Sequence, residues 1–181
     1  GVDTSICSVD SIVLYGNNPI SQSKKWTILS GGGGSFSAGL DTLANSVFHG
    51  IPDSTYVLRW TLSNPPCADS FDDVVITFLR APSTSNAGSN QIGASTCGLT
   101  TLSLAANIPN SGVGTWSVQS GAGGTIQSTS SPNSLFTGVS GSTYLLTWAI
   151  ANTCGASQSD VLIAFNQNPD TALAGNDSTI C

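Results

Sequence analysis

Short runs of alternating apolar and other residues recur along the chain and predict an all-β protein. In the clearest run Tyr56, Leu58 and Trp60 occupy every second position, and the same pattern returns at 144–148. Period-two alternation is typical of a strand with one buried face. No segment carries apolar residues at helical spacing over three turns. The apolar runs end at Gly, Asn and Pro, which favour turns.

The sequence repeats itself with a stride of 87 residues. The heads of the copies are marked by Gly1, Gly88 and Gly175, and the first and last heads read GVDTSIC and GNDSTIC. We therefore expect one repeat at 1–83, a second at 84–170 and the start of a truncated third at 171–181. Each full repeat has about 85 residues, which is enough for a core of its own.

Each repeat contains around seven short apolar runs and a tryptophan between two cysteines. Cys7 precedes Trp26 by 19 residues, and Cys97 precedes Trp116 by the same distance. This pattern favours a small β-sandwich of immunoglobulin-like design. The sequence therefore predicts tandem immunoglobulin-like repeats, each closed by one disulfide.

The low charge of the chain narrows the choice of partners. Charged residues make up 8% of the sequence, against roughly 25% in ordinary domains. The net charge is −6, and the range 88–170 contains no Lys or Arg. Nucleic acid is therefore excluded as a partner, because phosphate binding needs clustered positive charge. No apolar run of membrane-spanning length and no signal peptide is present. We expect a piece of a longer protein, with any signal or anchor outside it and no membrane insertion here.

Five cysteines without close pairing in sequence indicate disulfides of an exported protein. Two pairings obey the repeat. The preferred one joins Cys7 to Cys67 and Cys97 to Cys154, closing each domain on itself with a stabilisation on the order of 4 kcal/mol per loop. It leaves Cys181 unpaired. The other joins Cys67 to Cys97 and Cys154 to Cys181, which links neighbouring repeats.

No catalytic constellation occurs in both repeats. The glycine run 31–34 lacks the lysine and the helix of a phosphate-binding loop, so a turn between strands is the better interpretation. His49 is replaced by Thr137 in the second copy, and the sequence contains no Glu. We therefore predict that the chain is not an enzyme and requires no cofactor. The four tryptophans are expected in the core rather than in a row that stacks on sugars.

Three carboxylates form the candidate metal site. Asp3, Asp72 and Asp73 are expected near one end of the first domain, where loop oxygens would suit Ca²⁺. The second repeat offers only Asn90, Ser159 and Asp160 at the matching places. Calcium is therefore a candidate ligand of the first repeat more than of the second.

Three segments carry a resemblance to a known family. The runs STYLLTW (142–148), GTWSVQSGAGGTI from Gly114 and DDVVITF from Asp72 together resemble the PKD/Ig-like tandem repeats of Bacteroidota gliding-motility adhesins of the SprB type. The resemblance covers nearly the whole chain. It implies type IX secretion, a filament-like array at the bacterial cell surface, and adhesion to surfaces or polysaccharide. It supplies no ligand-binding motif.

Bacteria of that group also attach O-glycans at Asp-Ser or Asp-Thr pairs. Seven of the ten Asp residues precede Ser or Thr, a pairing that also suits turns. The resemblance implies O-glycosylation at five hydroxyls: Ser11, Thr42, Ser54, Thr171 and Ser178.

The sequence as a whole favours a structural and adhesive array. We expect a repeat segment of a large secreted surface adhesin, whose partners are its own neighbouring repeats, surface polysaccharide and chains associating side by side. The alternative is a carbohydrate-binding or spacer module of a secreted multidomain enzyme.

Overall fold

The computed structural model describes residues 1–175, and the regular elements in that range are β-strands and one short 3₁₀ turn. Contacts divide the chain into two compact units. One consists of Gly1–Pro82 together with Asn152–Gly155, and the other of Ser83–Ala151 and the chain from Ala156 onward. The boundaries at 83/84 and 170/171 stay predictions, and the third repeat predicted at 171–181 extends beyond the described residues.

The first repeat folds into two sheets that enclose an apolar interior. The larger has the strand order β1-β7-β6-β3 and the smaller the order β2-β5-β4. Within residues 1–82 the strands are β1 (Thr4–Cys7), β2 (Ser11–Val13), β3 (Ser23–Ser30), β4 (Ser35–Phe36), β5 (Val47–His49), β6 (Ser54–Ser63) and β7 (Ser70–Leu79).

The second repeat copies this arrangement. Its two sheets have the strand orders β13-β12-β9 and β10-β11-β8. Between residues 83 and 175 the strands are β8 (Thr101–Ser103), β9 (Val113–Ser120), β10 (Thr125–Ile126), β11 (Leu135–Thr137), β12 (Thr143–Asn152) and β13 (Gly155–Ala164), and a single 3₁₀ turn spans Gly93–Thr96.

An asparagine or aspartate side chain fixes the head of each repeat to its last strand. β1 runs parallel to β7, with Thr4 opposite Ile76, and the Asp3 carboxylate accepts a hydrogen bond from the Val75 amide at 2.9 Å. In the second repeat the parallel bridge is reduced to one pair of residues, Gln91 and Ile163. There Asn90 accepts from the Leu162 amide at 2.9 Å. Asp and Asn are interchangeable at this place because both offer a side-chain oxygen acceptor.

The four tryptophans are buried in the cores, as predicted, and they form one pair in each repeat. Trp26 and Trp60 face each other across β3 and β6 with ring centroids 4.9 Å apart. Trp116 and Trp148 do the same across β9 and β12 at 5.1 Å. All four are at most 4% exposed. The rings are therefore core residues, and a sugar could not stack on them.

A buried tyrosine closes each sandwich over a glycine turn. The Tyr56 hydroxyl accepts a hydrogen bond from the Ile51 amide and donates one to the Gly32 carbonyl, at 2.9 and 3.1 Å. Tyr144 makes the equivalent pair with Val139 and Ala122 at 2.7 and 3.0 Å. The glycine run 31–34 is thus the turn between β3 and β4, as predicted.

The glycines allow the tyrosine ring to approach the turn closely. A Cβ at Gly31 would lie 2.4 Å from the Tyr56 ring, and one at Gly121 would lie 2.3 Å from the Tyr144 ring. Both glycines also have φ above +100°, a conformation that other residues adopt at a cost. The requirement explains why both repeats keep glycine at this position.

We expect Tyr144→Phe to destabilise the second unit by about 1–3 kcal/mol, because it removes two part-buried hydrogen bonds, to the Val139 amide and the Ala122 carbonyl. Urea unfolding followed by tryptophan fluorescence measures the change. Tyr15→Phe is the matched control, since Tyr15 is 82% exposed. Equal stability of the two variants would contradict a structural role for the buried hydroxyl.

Candidate functional site: the cysteine-bearing ends of the repeats

Cys7 lies at the end of an edge strand, where the first repeat meets its following linker. It is the last residue of β1 and pairs with Leu79, the last residue of β7. The next amide, that of Ser8, donates to the Leu79 carbonyl at 2.9 Å. Ser8 has a φ of 60°, which turns the chain away from the sheet directly after the cysteine. The thiol position is therefore exposed and fixed by the backbone on both sides.

Cys154 lies in the tight turn between β12 and β13, and Asn152 shapes that turn. The Asn152 side-chain oxygen accepts a hydrogen bond from the Cys154 amide at 2.8 Å. Its side-chain nitrogen donates to the Arg80 carbonyl at 2.9 Å. Because Arg80 directly follows Leu79, this asparagine holds the turn beside the end of β7.

Cys7 and Cys154 form a disulfide with a Cα–Cα distance of 5.5 Å, which is ordinary for such a bond. The cysteines are separated by 147 residues of sequence. A loop of this length contributes on the order of 5 kcal/mol to stability by the chain-entropy model. The bond joins the head of the first sequence repeat to the last hairpin of the second.

The predicted pairings of Cys7 with Cys67 and of Cys97 with Cys154 are wrong. Cys67 lies in the turn that precedes β7, whereas Cys7 is opposite the end of that strand. Ten residues of strand separate them by about 30 Å, and a disulfide needs Cα atoms closer than about 7 Å.

The same distance argument applies in the second repeat. The Gly98 amide donates to the Asn166 carbonyl at 2.8 Å, so Cys97 lies beside the far end of β13 from Cys154. The alternative pairing of Cys67 with Cys97 does not form either, since both are exposed free thiols. Cys181 lies outside the described residues.

The carboxylates of the predicted calcium site are not brought together. Asp3 is bound to the Val75 amide on the β1 side of β7, and Asp73 pairs with Arg59 of β6 on the other side. Asp72 contacts the amino group of Gly1. Among residues 1–175 no group of three or more His, Cys, Asp or Glu side chains could hold a metal ion. The structure thus corrects the calcium prediction, because Asp3 and Asp73 have partners on opposite sides of β7.

A bidentate ion pair lies across β6 and β7 in the first repeat. The Arg59 guanidinium donates to both Asp73 oxygens at 2.7 and 2.8 Å and its carbon lies 3.8 Å from the centre of the Phe71 ring. These hydrogen bonds lower the pKa of Asp73 below its usual value. In the second repeat Thr147 donates to Asp160 at the same place. The two repeats therefore share a shape but present different charges.

Shallow grooves flank the head of the first repeat. One of about 560 Å³ is lined by residues 8–11, Pro52 and residues 79–81. Asp53 and Arg80, 3.0 Å apart and more than half exposed, belong to the same end of the unit. A second groove, of about 390 Å³, is mostly apolar and includes the exposed Tyr15 ring.

The predicted glycosylation sites that the structure describes are accessible in differing degrees. Thr42 and Thr171 are exposed, whereas Ser11 and Ser54 are half-buried at the starts of β2 and β6. Ser178 lies outside the described residues. The four described hydroxyls stay predictions as glycan acceptors.

Sequence reasoning missed the Cys7–Cys154 disulfide and the turn that Asn152 holds beside the end of β7. The signal was present in the position of Cys67 and Cys154, each six residues before the Asp that begins an apolar strand run. That spacing places a cysteine at the turn end of a long strand, away from the head.

Within residues 1–175 there is no helix of the length and apolarity needed to span a membrane.

The comparisons with known proteins show the fold. No family model and no curated protein matches the sequence. Among solved structures the chain is similar to the insect immune protein hemolin, at 14% identity over 93% of this chain and 45% of that chain, with a TM-score of 0.54.

Two further solved structures give the same result. Extracellular domains 3–5 of Drosophila OTK match at 10% identity over 93% of this chain and 60% of that one, with a TM-score of 0.58. Immunoglobulin domains 1–5 of Sidekick-1 match at 12% identity over 90% and 37%, with a TM-score of 0.54. The chain thus spans less than two thirds of each neighbour. It has the tandem immunoglobulin-like fold.

The Arg59–Asp73 pair predicts a pH dependence of the first unit. Since the folded pKa of Asp73 is lowered, its contribution is present above the unfolded Asp pKa of about 3.9 and is lost as the pH falls through the folded value. We expect the difference in urea midpoint between the native chain and Asp73→Asn to shrink between about pH 5 and pH 2.

The matched control is Asp160→Asn, which faces Thr147 instead of a cation. The difference in urea midpoint between Asp160→Asn and the native chain should not depend on added salt. The difference between Asp73→Asn and the native chain should decrease as salt is added, because salt screens the ion pair. An unchanged gap between the native chain and Asp73→Asn across this pH range would contradict the role of the ion pair.

Proposed function

We propose that this chain is a tension-transmitting segment of an extracellular tandem-repeat array that acts as a stalk and offers adhesive surface. The observation that carries the proposal is the disulfide between Cys7 and Cys154, which joins one repeat to the next in sequence. An ordinary tandem array is joined only by its linkers. Here a second covalent connection crosses the repeat boundary.

The disulfide changes the path that tension follows along the chain. A force applied at the two ends passes through Cys7 directly to Cys154 and bypasses the residues between them. All nine buried residues of the first core and nine of the twelve of the second lie inside this bypass, and Val161, Ile163 and Phe165 at the end of the second repeat lie outside it. The bond would therefore keep most of the protein folded under load, which suits a stalk better than a soluble binding module.

The disulfide supports the extracellular part of the proposal, because structural disulfides persist in oxidising compartments outside the cytosol. We assign the array to a bacterial cell surface, in an adhesin of the Bacteroidota gliding type exported by the type IX route. The support is the resemblance of the STYLLTW, GTWSVQSGAGGTI and DDVVITF segments. Its partners in this proposal are neighbouring repeats, parallel chains and surface polysaccharide.

Glycosylation would complement the low charge of the surface. The exposed Thr42 and Thr171 follow aspartates and are open to modification. O-glycans there would supply hydration that charged side chains do not. Intact mass of the natively produced protein tests this, and an unmodified mass would refute it.

The stalk proposal predicts a short extension under force. When the native chain is pulled through its two ends in single-molecule force spectroscopy, the residues between Cys7 and Cys154 should not extend. Adding dithiothreitol, or substituting Cys154→Ser, should release a further 147 residues, or about 500 Å at roughly 3.4 Å per residue.

The control is the double variant Cys67→Ser/Cys97→Ser, which removes the two free thiols found within residues 1–175 and should extend like the native chain. If the oxidised native chain releases its full contour length, the disulfide does not carry the tension and the proposal is overturned.

A second function is favoured by one observation, the apolar groove beside Tyr15. Aromatic rings that are exposed beside a groove suit the apolar face of a sugar, and Tyr15 is 82% exposed. This would fit a carbohydrate-binding or spacer module of a secreted enzyme. Polysaccharide binding that Tyr15→Ala abolishes, together with full extension under force, would favour this function over the stalk.

A further inference from the structure

Two of the four cysteines that the structure describes have no partner. Cys67 and Cys97 are both free and exposed. They occupy the same positions in their repeats as the two cysteines that are bonded to each other, and this equivalence can be shown from the backbone.

Cys97 is the counterpart of Cys7. The residue after each cysteine has a positive φ, 60° at Ser8 and 71° at Gly98. The Ser8 amide donates to the Leu79 carbonyl at 2.9 Å, and the Gly98 amide donates to the Asn166 carbonyl at 2.8 Å. Each acceptor follows a buried phenylalanine at the end of the last strand of its repeat.

The two heads differ by three inserted residues. Cys7 and Cys97 are 90 positions apart, three more than the stride of 87. The 3₁₀ turn Gly93–Thr96 lies immediately before Cys97 and takes up this insertion. Both cysteines therefore leave the sheet at the same place, with the side chain exposed.

Cys67 is the counterpart of Cys154. Each lies in the turn of the long hairpin of its repeat, between β6 and β7 or between β12 and β13. They are 87 positions apart, equal to the stride. Each turn also contains an asparagine that receives a hydrogen bond from the cysteine amide: the carbonyl of Asn64 at 3.1 Å or the side chain of Asn152 at 2.8 Å.

We propose that Cys97 and Cys67 are the two halves of a second junction of the same kind, each completed by another repeat. We call Cys7 and Cys97 the head cysteines and Cys67 and Cys154 the hairpin cysteines. The rule is that the head cysteine of one repeat bonds to the hairpin cysteine of the repeat that follows, as Cys7 bonds to Cys154. Cys97 thus bonds to a hairpin cysteine, and Cys67 bonds to a head cysteine. A second copy of this chain supplies both, and the inference holds whether or not the array is adhesive.

The bond forms by thiol–disulfide exchange with a small disulfide such as oxidised glutathione. The Cys97 thiolate attacks one sulfur of glutathione disulfide and displaces a glutathione thiolate. The Cys67 thiolate of the partner copy then attacks the Cys97 sulfur of the mixed disulfide and displaces the second glutathione. Overall two protein thiols are oxidised to one disulfide, and one glutathione disulfide is reduced to two glutathione thiols.

The product is directional. Because the partners are two different surfaces, each added copy uses one of its two thiols, and the assembly keeps one free Cys67 at one end and one free Cys97 at the other. It therefore grows head to tail as a linear series. A thiol that reacts only because it is exposed would instead give a mixture of links.

The test incubates the intact chain carrying Cys181→Ser, so that Cys67 and Cys97 are its only thiols once Cys7–Cys154 has formed, in a glutathione redox buffer at high protein concentration. Non-reducing electrophoresis then shows the size of the products, and peptide mapping identifies the linked cysteines. We expect a ladder in which Cys67–Cys97 links exceed both like-with-like links by roughly tenfold, which corresponds to about 1.4 kcal/mol of preference.

Two variants serve as controls. Cys97→Ser should abolish the ladder and leave Cys67 as a glutathione adduct. Ser95→Cys in the Cys97→Ser background moves the thiol to another exposed position of the same turn, and it should lose the preference while remaining reactive. Equal amounts of the three links, glutathione adducts without protein links, or the same preference at position 95 would each overturn the proposal.

Discussion

The length of the last strand in each repeat decides how this protein is connected. β7 and β13 each have ten residues, or about 33 Å, and the two cysteine positions of a repeat lie at opposite ends of that strand. No disulfide can form inside a repeat while the strand is intact. The thiols are thereby directed outward, and the bond that does form connects the first repeat to the second.

The disulfide is not part of either core, and both repeats bury the same aromatic set. Each core contains a tryptophan pair and a tyrosine that packs against two phenylalanines. Immunoglobulin domains often place a disulfide between their sheets beside a tryptophan. In the described part of this chain the tryptophan is instead packed against a second tryptophan. Oxidation therefore alters how repeats are connected and leaves the buried set of each repeat unchanged.

The fold could be predicted from the sequence, whereas the site could not. Trp60 and Trp148 on alternating runs identified the buried faces, and the glycine run before Ser35 identified the turn. The repeat also indicated which cysteines are equivalent. The spacing of Cys67 and Cys154 from the following Asp indicates the turn end of the strand. The end that Cys7 occupies depends on the parallel pairing of β1 with β7, a contact that no local pattern records. Asp3 was misjudged for the same reason, because its partner is a backbone amide 72 residues away.

The closed loop between Cys7 and Cys154 also makes the chain tolerant of damage. Every exposed turn between those two residues is a place where a protease can cut. A single cut anywhere in that interval leaves the two flanking segments joined through sulfur, so the chain stays continuous from end to end. Only a cut outside the loop, or the combination of a cut with reduction of the disulfide, would separate the two ends.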